Sequence, residues 1–335
     1  MTSPEVGPLF GALVARALDR LSDELGRPDP FLVVETGAGA GRLARDVLRA
    51  GPSCGPALRY VLVERSPAMR DAQRELLTIE PVEDALGPSA PGEPDEAPVS
   101  VARTGPIVTA LAELPALTVE GVVLANELLD NFPFDVVERA DTGWREVRVG
   151  LDDGGFVEVL VPREATSEIG LDVPVGARVP IQSGIDEWLR ACGAVLRRGF
   201  LVLIDTMAPA ATIVDRGPKG WLRTYRGHER GGSPLVDPGE QDIVCDVVLE
   251  SLHRSARDAG FDVVVETTQA DWLHGLGLAE MVEQGRARWR ERAHVGDLDA
   301  LTALSRVTEA AALTDPAGLG AHTVLVLSKG LRGIA

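Results

Sequence analysis

The stretch from Phe31 to Asp46, FLVVETGAGAGRLARD, constrains the fold of this chain more than any other. It begins with four consecutive apolar residues, which is typical of a short strand buried on both faces of a parallel sheet. Gly37, Gly39 and Gly41 follow at alternate positions, so the backbone can turn sharply and a ligand can approach where a Cβ atom would collide. Arg42 to Leu48 then has helical spacing. The pattern predicts a strand, a tight turn and a helix that together bind a nucleotide-like ligand.

The glycine spacing separates two kinds of nucleotide site. The dinucleotide pattern G-x-G-x-x-G would need a glycine where Arg42 stands, which disfavours an NAD dehydrogenase. The order E-x-G-x-G-x-G, from Glu35 to Gly41, resembles instead the first motif of class I S-adenosylmethionine (SAM) methyltransferases. A second apolar run, Tyr60 to Val63, ends at Glu64, whose carboxylate can accept hydrogen bonds from both hydroxyls of a ribose. We therefore predict SAM as cofactor, with these residues binding it: Glu35, Gly37, Gly39, Gly41, Glu64 and Asn126.

Composition narrows the class of protein. At 335 residues the chain can bury a full core, and we predict a single domain over residues 1–335. A net charge of −18 argues against a nucleic-acid-binding surface, which needs clustered Lys and Arg, and suits either a basic partner or solubility alone. Three scattered cysteines fit neither a disulfide framework nor a zinc site, so we expect a reducing compartment and no metal. Neither a signal peptide nor a membrane span is visible, which predicts a soluble, cytoplasmic protein.

The third and fourth predicted strands follow a proline-rich break. Residues 81–98 contain five prolines and several acids, which is typical of a mobile surface loop, and the strand pattern resumes at Ile107. The run GVVLAN, Gly121 to Asn126, leads directly into Glu127 and Asp130. Ligands of open α/β sheets bind at the carboxyl ends of the strands, so we predict Glu127 and Asp130 as catalytic acids that share a helix face. The alternative is that both acids cap that helix.

The remaining chain alternates between insertions and strands. Residues 134–180 have a period of two with turn signals, which predicts an antiparallel β insertion after the fourth strand. A helix over Ile185 to Arg197 and a strand over Gly199 to Asp205 return to the sheet. Residues 206–243 include a polar, aperiodic stretch from Leu222 to Ile243, which predicts an active-site loop. A helical insertion over 270–320 precedes the last strand, which gives about seven strands with the last two antiparallel.

Several stretches together resemble the MidA family. These SAM-dependent methyltransferases include the mitochondrial complex I assembly factor with protein arginine methyltransferase activity. The matching stretches are TSPEVGPLFG (2–11), VVETGAGAGRLARDVL (33–48), YVLVERSPAMRDAQRELL (60–77), LANELLDNFPFDVV (124–137), LRTYRGH (222–228) and DPGEQDI (237–243). The resemblance implies an α/β, Rossmann-like class I methyltransferase fold, SAM as methyl donor, and a protein arginine as acceptor, with a subunit of respiratory complex I as one such protein. We predict substrate-binding roles for Glu5, which lies in the first of these stretches, and for Tyr225 and His228, which lie in the polar loop and could equally be structural.

Three departures from the family bear on the acceptor. Family members usually carry a further segment before the TSPE stretch, where this sequence has only Met1. The family commonly has Asp-Tyr-Gly after the fifth strand, whereas Thr206 and Met207 follow Asp205 here. The loop over 81–98 looks particular to this chain. The methyl acceptor can therefore differ from that of the family.

The chemistry of methyl transfer leaves three classes of function. Transfer from a sulfonium needs an aligned nucleophile with a free lone pair. Carboxylates that hold two nitrogens of a guanidinium would localise its positive charge and leave the third nitrogen more nucleophilic, which favours a protein arginine methyltransferase. A carboxylate or hydroxyl acceptor would need a general base such as His228, as in a small-molecule tailoring methyltransferase. A non-catalytic assembly factor that keeps the fold is the third possibility.

Overall fold

A computed structural model describes residues 2–87, 104–163, 171–227, 229–295 and 297–331. The single domain predicted from the sequence divides, by its internal contacts, into two compact units. The sheet unit comprises Met1–Asn126, Ala191–Ile204 and Asp262–Ala335, and the insertion unit comprises Glu127–Arg190 and Asp205–Phe261.

The helices and strands are numbered in chain order. The strands are β1 (Phe31–Thr36), β2 (Leu58–Val63), β3 (Ile107–Leu111), β4 (Val119–Asn126), β5 (Asp135–Arg139), β6 (Trp144–Asp152), β7 (Gly155–Pro162), β8 (Arg178–Ile181), β9 (Leu196–Asp205), β10 (Met207–Ala208), β11 (Leu222–Arg226), β12 (Glu229–Arg230), β13 (Asp242–Cys245), β14 (Val247–Val248), β15 (Asp262–Thr268) and β16 (Thr323–Lys329). The α-helices are α1 (Ser3–Val6), α2 (Pro8–Glu24), α3 (Arg42–Ala50), α4 (Pro67–Leu76), α5 (Val82–Leu86), α6 (Gly184–Val195), α7 (Ala210–Arg216), α8 (Pro218–Trp221), α9 (Leu249–Asp258), α10 (Gln269–Gly275), α11 (Leu278–Arg292) and α12 (Leu298–Leu313).

The sheet unit is built on seven strands in the order β15-β16-β9-β4-β1-β2-β3. Neighbouring strands from β9 to β3 run parallel, and β15 pairs with β16 antiparallel. Every residue of β1 and β2 is buried, which agrees with their continuous apolar runs. The predicted number of strands, the antiparallel final pair and the α/β class are therefore confirmed.

Helices cover this sheet and complete its core. The apolar stripe of α2 is buried against the core through Leu9, Phe10, Leu13, Val14 and Leu18. The predicted helical insertion before the last strand is present as α10, α11 and α12. No helix among the described residues is both long and apolar enough to cross a membrane. Of the predicted loop over 81–98, the first part forms α5, and residues 88–98 lie outside the described residues.

The insertion unit contains the predicted antiparallel β insertion. Strands β5 to β8 form a four-stranded sheet in the order β7-β6-β5-β8, and all its pairs are antiparallel. Val137 on β5 and Val179 on β8 are fully buried, and they pack in one cluster with Ile213, Trp221 and Cys245. This cluster is the core of the insertion unit.

The prediction of an irregular active-site loop over 206–243 is wrong for most of that segment. It contains α7, α8 and a three-stranded sheet in the order β12-β11-β13, in which β11 pairs antiparallel with both neighbours. The strands of this sheet are short, and most of their residues are polar and only partly buried. Backbone pairing therefore forms the sheet without the apolar alternation that would reveal it in a sequence.

Candidate functional site

The glycine turn joins β1 to α3 as predicted. Gly37, Gly39 and Gly41 have φ values of 69°, 51° and 79°, which lie in the left-handed region that glycine adopts without strain. The N–H of Gly37 donates to the carbonyl oxygen of Val63 at 2.9 Å, so the turn is tied to the end of β2. A Cβ atom built on Gly39 would have no protein atom within 4 Å. The outer side of the turn is therefore open to a ligand.

Glu64 lies directly after β2 and contacts this turn. Its Oε2 accepts a hydrogen bond from the N–H of Gly39 at 3.0 Å, and its Oε1 accepts one from the N–H of Ser66 at 2.8 Å. Each carboxylate oxygen can accept a second hydrogen bond. Glu64 can thus hold the turn and still accept bonds from the two hydroxyls of a ribose, as predicted for the cofactor site.

Gln73 is a part of the site that the sequence reasoning missed. This α4 residue is fully buried, and its Nε2 donates to the carbonyl oxygen of Gly39 at 2.7 Å. A Cβ atom on Gly41 would lie 3.3 Å from the Cγ of Gln73, so the side chain packs directly beneath the turn. A glutamine on the inner side of an amphipathic helix was the only sequence signal for this role.

The structure places Glu35 in the interior of the sheet unit. Its carboxyl group is 4% exposed and accepts a hydrogen bond from the Tyr60 hydroxyl at 2.7 Å. Burial raises the pKa of Glu35 to about 7, although the bond from Tyr60 opposes this shift. Asn126, the last residue of β4, is partly buried. Ligand contacts by Glu35 and Asn126 stay predictions.

The predicted helix turn after β4 is wrong. Glu127 has a left-handed φ of 51°, and only the short 3₁₀ helix Leu129–Asn131 follows, without a side-chain cap. The N–H of Leu129 donates to Asp205 Oδ2 at 2.7 Å, and its carbonyl oxygen accepts from Gln182 Nε2 at 3.2 Å. The side chains of Asp205 and Gln182 therefore bond to the N–H and the carbonyl oxygen of Leu129, which an α-helix would pair with its own backbone. Pro133 then opposes continuation of the helix.

Acidic residues from distant parts of the sequence come together in the insertion unit. We call Glu127, Asp130, Asp205 and Asp246 the carboxylate cluster. Asp246 is buried, accepts a hydrogen bond from Arg223, and forms an ion pair with Arg216 at 3.1 Å. Arg223 also donates to the Thr206 hydroxyl at 3.0 Å. Glu127 and Asp130 were predicted from the sequence, whereas the other four charged residues of this arrangement were not.

Burial alters the acidity of the cluster. It raises the pKa of Asp205 well above its usual range, and the charge of neighbouring Asp130 adds to this effect. Burial also raises the pKa of Asp130 to about 6, while nearby Arg223 lowers it and Asp246 raises it. At neutral pH, Asp130 is therefore mostly ionised.

The structure describes two of the three residues that were predicted to bind substrate. Glu5 is exposed, and its carboxylate accepts the N–H of Thr2 at 2.9 Å, which caps the first turn of α1. Tyr225 lies on β11, paired with Arg230 and Asp242. His228 lies outside the described residues. Substrate contact by all three stays a prediction.

The three cysteines of the chain have weakly acidic thiols. Cys54, Cys192 and Cys245 are free and buried. Burial raises the pKa of the Cys54 thiol to about 12 and raises those of Cys192 and Cys245 further. Within the described ranges, no group of three or more His, Cys, Asp and Glu is arranged to hold a metal ion.

This chain is similar to known methyltransferases. A family model described as "Putative S-adenosyl-L-methionine-dependent methyltransferase" (Methyltransf_28) matches residues 13–267. The chain is 26% identical over 291 residues to the protein arginine methyltransferase NDUFAF7, mitochondrial, of Xenopus tropicalis, which covers 83% of this chain and 65% of that protein. It is 27% identical to the Drosophila melanogaster homolog of NDUFAF7, over 78% of this chain and 60% of that one. The chain thus covers less than two thirds of the length of these curated relatives.

Solved structures include a similar protein from Burkholderia thailandensis. This COG1565 superfamily member, bound to S-adenosyl-homocysteine, is 31% identical with a TM-score of 0.76, and the match covers 99% of this chain and 79% of that one. A second structure from the same organism and superfamily has the same identity and TM-score and is covered to 82%. The chain belongs to the family of S-adenosyl-L-methionine-dependent methyltransferases that this family model describes.

Proposed function

We propose that this protein is a SAM-dependent methyltransferase that methylates arginine side chains of a protein substrate. Family membership and the S-adenosyl-homocysteine in the Burkholderia relative support the cofactor, and the names of the NDUFAF7 relatives support the acceptor. The carboxylate cluster supports a cationic acceptor independently of those names. Its residues all belong to the insertion unit, whereas the residues assigned to the cofactor belong to the sheet unit.

The residues of the glycine turn fit a nucleoside cofactor. Gly39 leaves open space where a side chain would stand, and Glu64 has lone pairs left for ribose hydroxyls. The N–H groups at the start of α3 add the positive end of a helix beside the turn. When bound, SAM would supply an electrophilic methyl group. The protein has to hold the acceptor still and remove a proton from it.

The gathering of four carboxyl groups is the observation that carries this proposal. Asp130 interacts electrostatically with Asp205 and Asp246, and Glu127 interacts with Asp205. Asp246 also forms ion pairs with Arg216 and Arg223. A guanidinium from a substrate would be attracted by a group of acids, whereas a carboxylate acceptor would be repelled by it.

Two acids of the cluster can orient the acceptor and accept its proton. A carboxylate that accepts hydrogen bonds from two guanidinium nitrogens orients the group and localises its charge. Conversion of a guanidinium to its N-methyl form keeps the charge and releases one proton from the attacked nitrogen. Asp130, with its pKa raised to about 6, is a stronger base than an ordinary aspartate and can take that proton at neutral pH. We assign orientation to Glu127 and proton acceptance to Asp130.

Methylation of host proteins tests the proposal. The purified protein is incubated with methyl-labelled SAM and a lysate, and the labelled protein fraction is hydrolysed to identify the modified amino acid. Methylarginine is expected. Label in methylated small molecules would instead favour a tailoring enzyme, and SAM binding by calorimetry without any label would favour a non-catalytic protein. Asp152→Asn, an exposed acid of the β6–β7 turn, is the control for Glu127→Gln and Asp130→Asn.

A further inference from the structure

A cavity of 320 Å³ lies within the insertion unit, among β8, β14 and the helices α6 and α9. We propose that it is a second binding site, for a small organic anion that has an apolar body. Its size is within the range of cavities that bind small molecules. The proposal does not depend on the proposed function, because none of the acids of the carboxylate cluster lines this cavity.

The inner wall of the cavity is apolar. It includes Ile185 from the start of α6, Val247 and Val248 of β14, and Leu252 of α9, each at most 4% exposed. An apolar ligand group on this wall would leave water for a hydrophobic surface, which is favourable in proportion to the area covered. A bare inorganic ion would make no use of this wall. The wall therefore predicts an aromatic or aliphatic ligand body.

The outer wall carries an excess of positive charge. Three arginines line the cavity against two acids. Within the residues that the structure describes, Arg190 and Arg254 form no ion pair, and Arg254 donates only to the Ser251 hydroxyl at 3.3 Å. One of the two acids, Asp186, already accepts a hydrogen bond from the Ser255 hydroxyl. Two guanidinium groups with unused N–H donors favour the binding of a carboxylate or phosphate group.

Arg163 completes the cationic wall but is partly neutralised. Its nearest acids, Asp135 and Glu146, lie outside the cavity lining at 3.4 Å and 3.8 Å, which are long distances for an ion pair. The other lining acid, Asp258, is exposed on the last turn of α9, and the lining Arg190 is exposed as well, so water screens both charges. Arg163 and Arg254 then stand against Asp186. The charge that a ligand meets inside the cavity is therefore positive.

Gln182 connects this cavity to the carboxylate cluster. It lines the cavity, while its Nε2 donates to the carbonyl oxygen of Leu129 and to Cys245 Sγ, each at 3.2 Å. Leu129 precedes Asp130, and Cys245 precedes Asp246. A ligand that moves Gln182 would thus disturb the residues that precede two acids of the cluster.

Titration calorimetry with three probes tests the site on the full chain. The probes are 1-naphthoate, phenyl phosphate and the neutral 1-naphthamide. At least one anion is expected to bind with a stoichiometry of one, and about tenfold more tightly than the amide, as for a charged hydrogen bond. Arg190→Gln and Arg254→Gln should each weaken anion binding by about tenfold. Arg257→Gln, an exposed α9 arginine outside the cavity lining, should leave it unchanged.

Ser251→Phe tests the place of binding, because its ring would occupy the cavity. It should abolish anion binding, while the melting temperature reports whether the variant is folded. Arg190 is exposed, so its variant is expected to fold in any case. The proposal is overturned if neither anion binds, if the amide binds as tightly as the anions, or if folded Arg190→Gln and Arg254→Gln proteins bind like the wild type.

Discussion

Gln73 donates a hydrogen bond to the carbonyl oxygen of Gly39 at 2.7 Å, and Gly39 lies at the centre of the glycine turn. The N–H of the same glycine donates to Glu64 at 3.0 Å. One residue of the turn is therefore held through both of its backbone polar groups, by side chains from α4 and from the end of β2. A left-handed turn without side chains of its own is thus fixed by its neighbours, and its shape is set before a ligand arrives.

The first prediction concerns Gln73. Gln73→Met keeps the volume of the side chain but removes the donor to Gly39, so the turn becomes less well fixed. We expect the dissociation constant for SAM to rise about threefold to tenfold, as for loss of one neutral hydrogen bond. Isothermal titration calorimetry measures this change without any need for a methyl acceptor.

Gln269→Met is the matched control for Gln73→Met. Gln269 is also fully buried in the sheet unit, and its Nε2 donates to the carbonyl oxygen of Leu313 at 3.0 Å. Both variants should lose stability, because each removes a side-chain donor to a backbone carbonyl oxygen. The loss should be larger for Gln269→Met, because Gln269 also accepts a hydrogen bond from the buried Ser3 hydroxyl. Only Gln73→Met should weaken SAM binding. Equal SAM affinities in the two variants would show that Gln73 does not position the turn.

The second prediction separates strain from ligand contact at Gly39. Gly39→Ala places a methyl group in open space, so its cost to the fold is only that of a left-handed alanine, about 1 kcal/mol. Gly143, in the turn between β5 and β6, has a φ of 78° and equally open space. Gly143→Ala should therefore lose a similar amount of stability and still bind SAM. Gly39→Ala should no longer bind SAM. Retained binding in Gly39→Ala would remove the turn from the cofactor site.

The sequence predicted the sheet unit well because its signals are local. β1, β2 and β4 each contain a continuous apolar run, and the glycine turn joins β1 directly to α3. The role of Gln73 was missed because helical spacing places this glutamine on the inner side of α4 without showing what it contacts. Its role depends on how α4 packs beneath the turn.

Only two of the four acids of the carboxylate cluster were predicted from the sequence, and the reason is different. Asp130 and Asp205 are 75 residues apart in the chain, and Asp246 follows β13, a strand that the sequence pattern does not reveal. Arg223 faces Asp246 because β11 pairs with β13 through Arg223 and Val244. Long-range pairing of short polar strands brings these charges together, and no local periodicity encodes it. The same pairing explains why an irregular loop was expected there.

The third prediction concerns the acids after β4. If Asp130 takes the proton of the acceptor, Asp130→Asn should reduce single-turnover methylation by about a hundredfold, as for loss of a general base. SAM affinity should change by less than about 0.5 kcal/mol, because the substitution lies outside the cofactor residues. Helix capping by Asp130 would predict the reverse, a lower melting temperature with turnover intact. Normal turnover in both Asp130→Asn and Glu127→Gln would exclude these acids from the mechanism.

The acidity of Asp130 adds a pH dependence to that prediction. The pKa of this carboxyl group is raised to about 6, so it ionises as the pH rises through that value. Methylation by the wild type should therefore fall below about pH 6 and level off above it. The residual rate of Asp130→Asn should lack this step. An identical pH profile in both proteins would assign the titration to another group.

The last prediction concerns Glu35. This carboxyl group is buried and accepts a hydrogen bond from the Tyr60 hydroxyl. Its pKa of about 7 in the folded protein lies above its ordinary value of 4.5. The folded state therefore holds a proton that the unfolded chain releases between these values. Glu35 then contributes stability that is complete below about pH 4.5 and is lost as the pH rises through about 7.

Urea unfolding at pH 5 and pH 8 measures this contribution. The free energy of unfolding of the wild type should fall by about 2–3 kcal/mol more than that of Glu35→Gln over this range, because glutamine carries no titrating proton. At pH 8 the variant should be at least as stable as the wild type, since it avoids a buried charge. Glu75→Gln, an exposed α4 acid, should follow the wild type at both pH values. If Glu35→Gln also follows the wild type, Glu35 is ionised in the folded protein at pH 5 and its burial does not govern the pH dependence of stability.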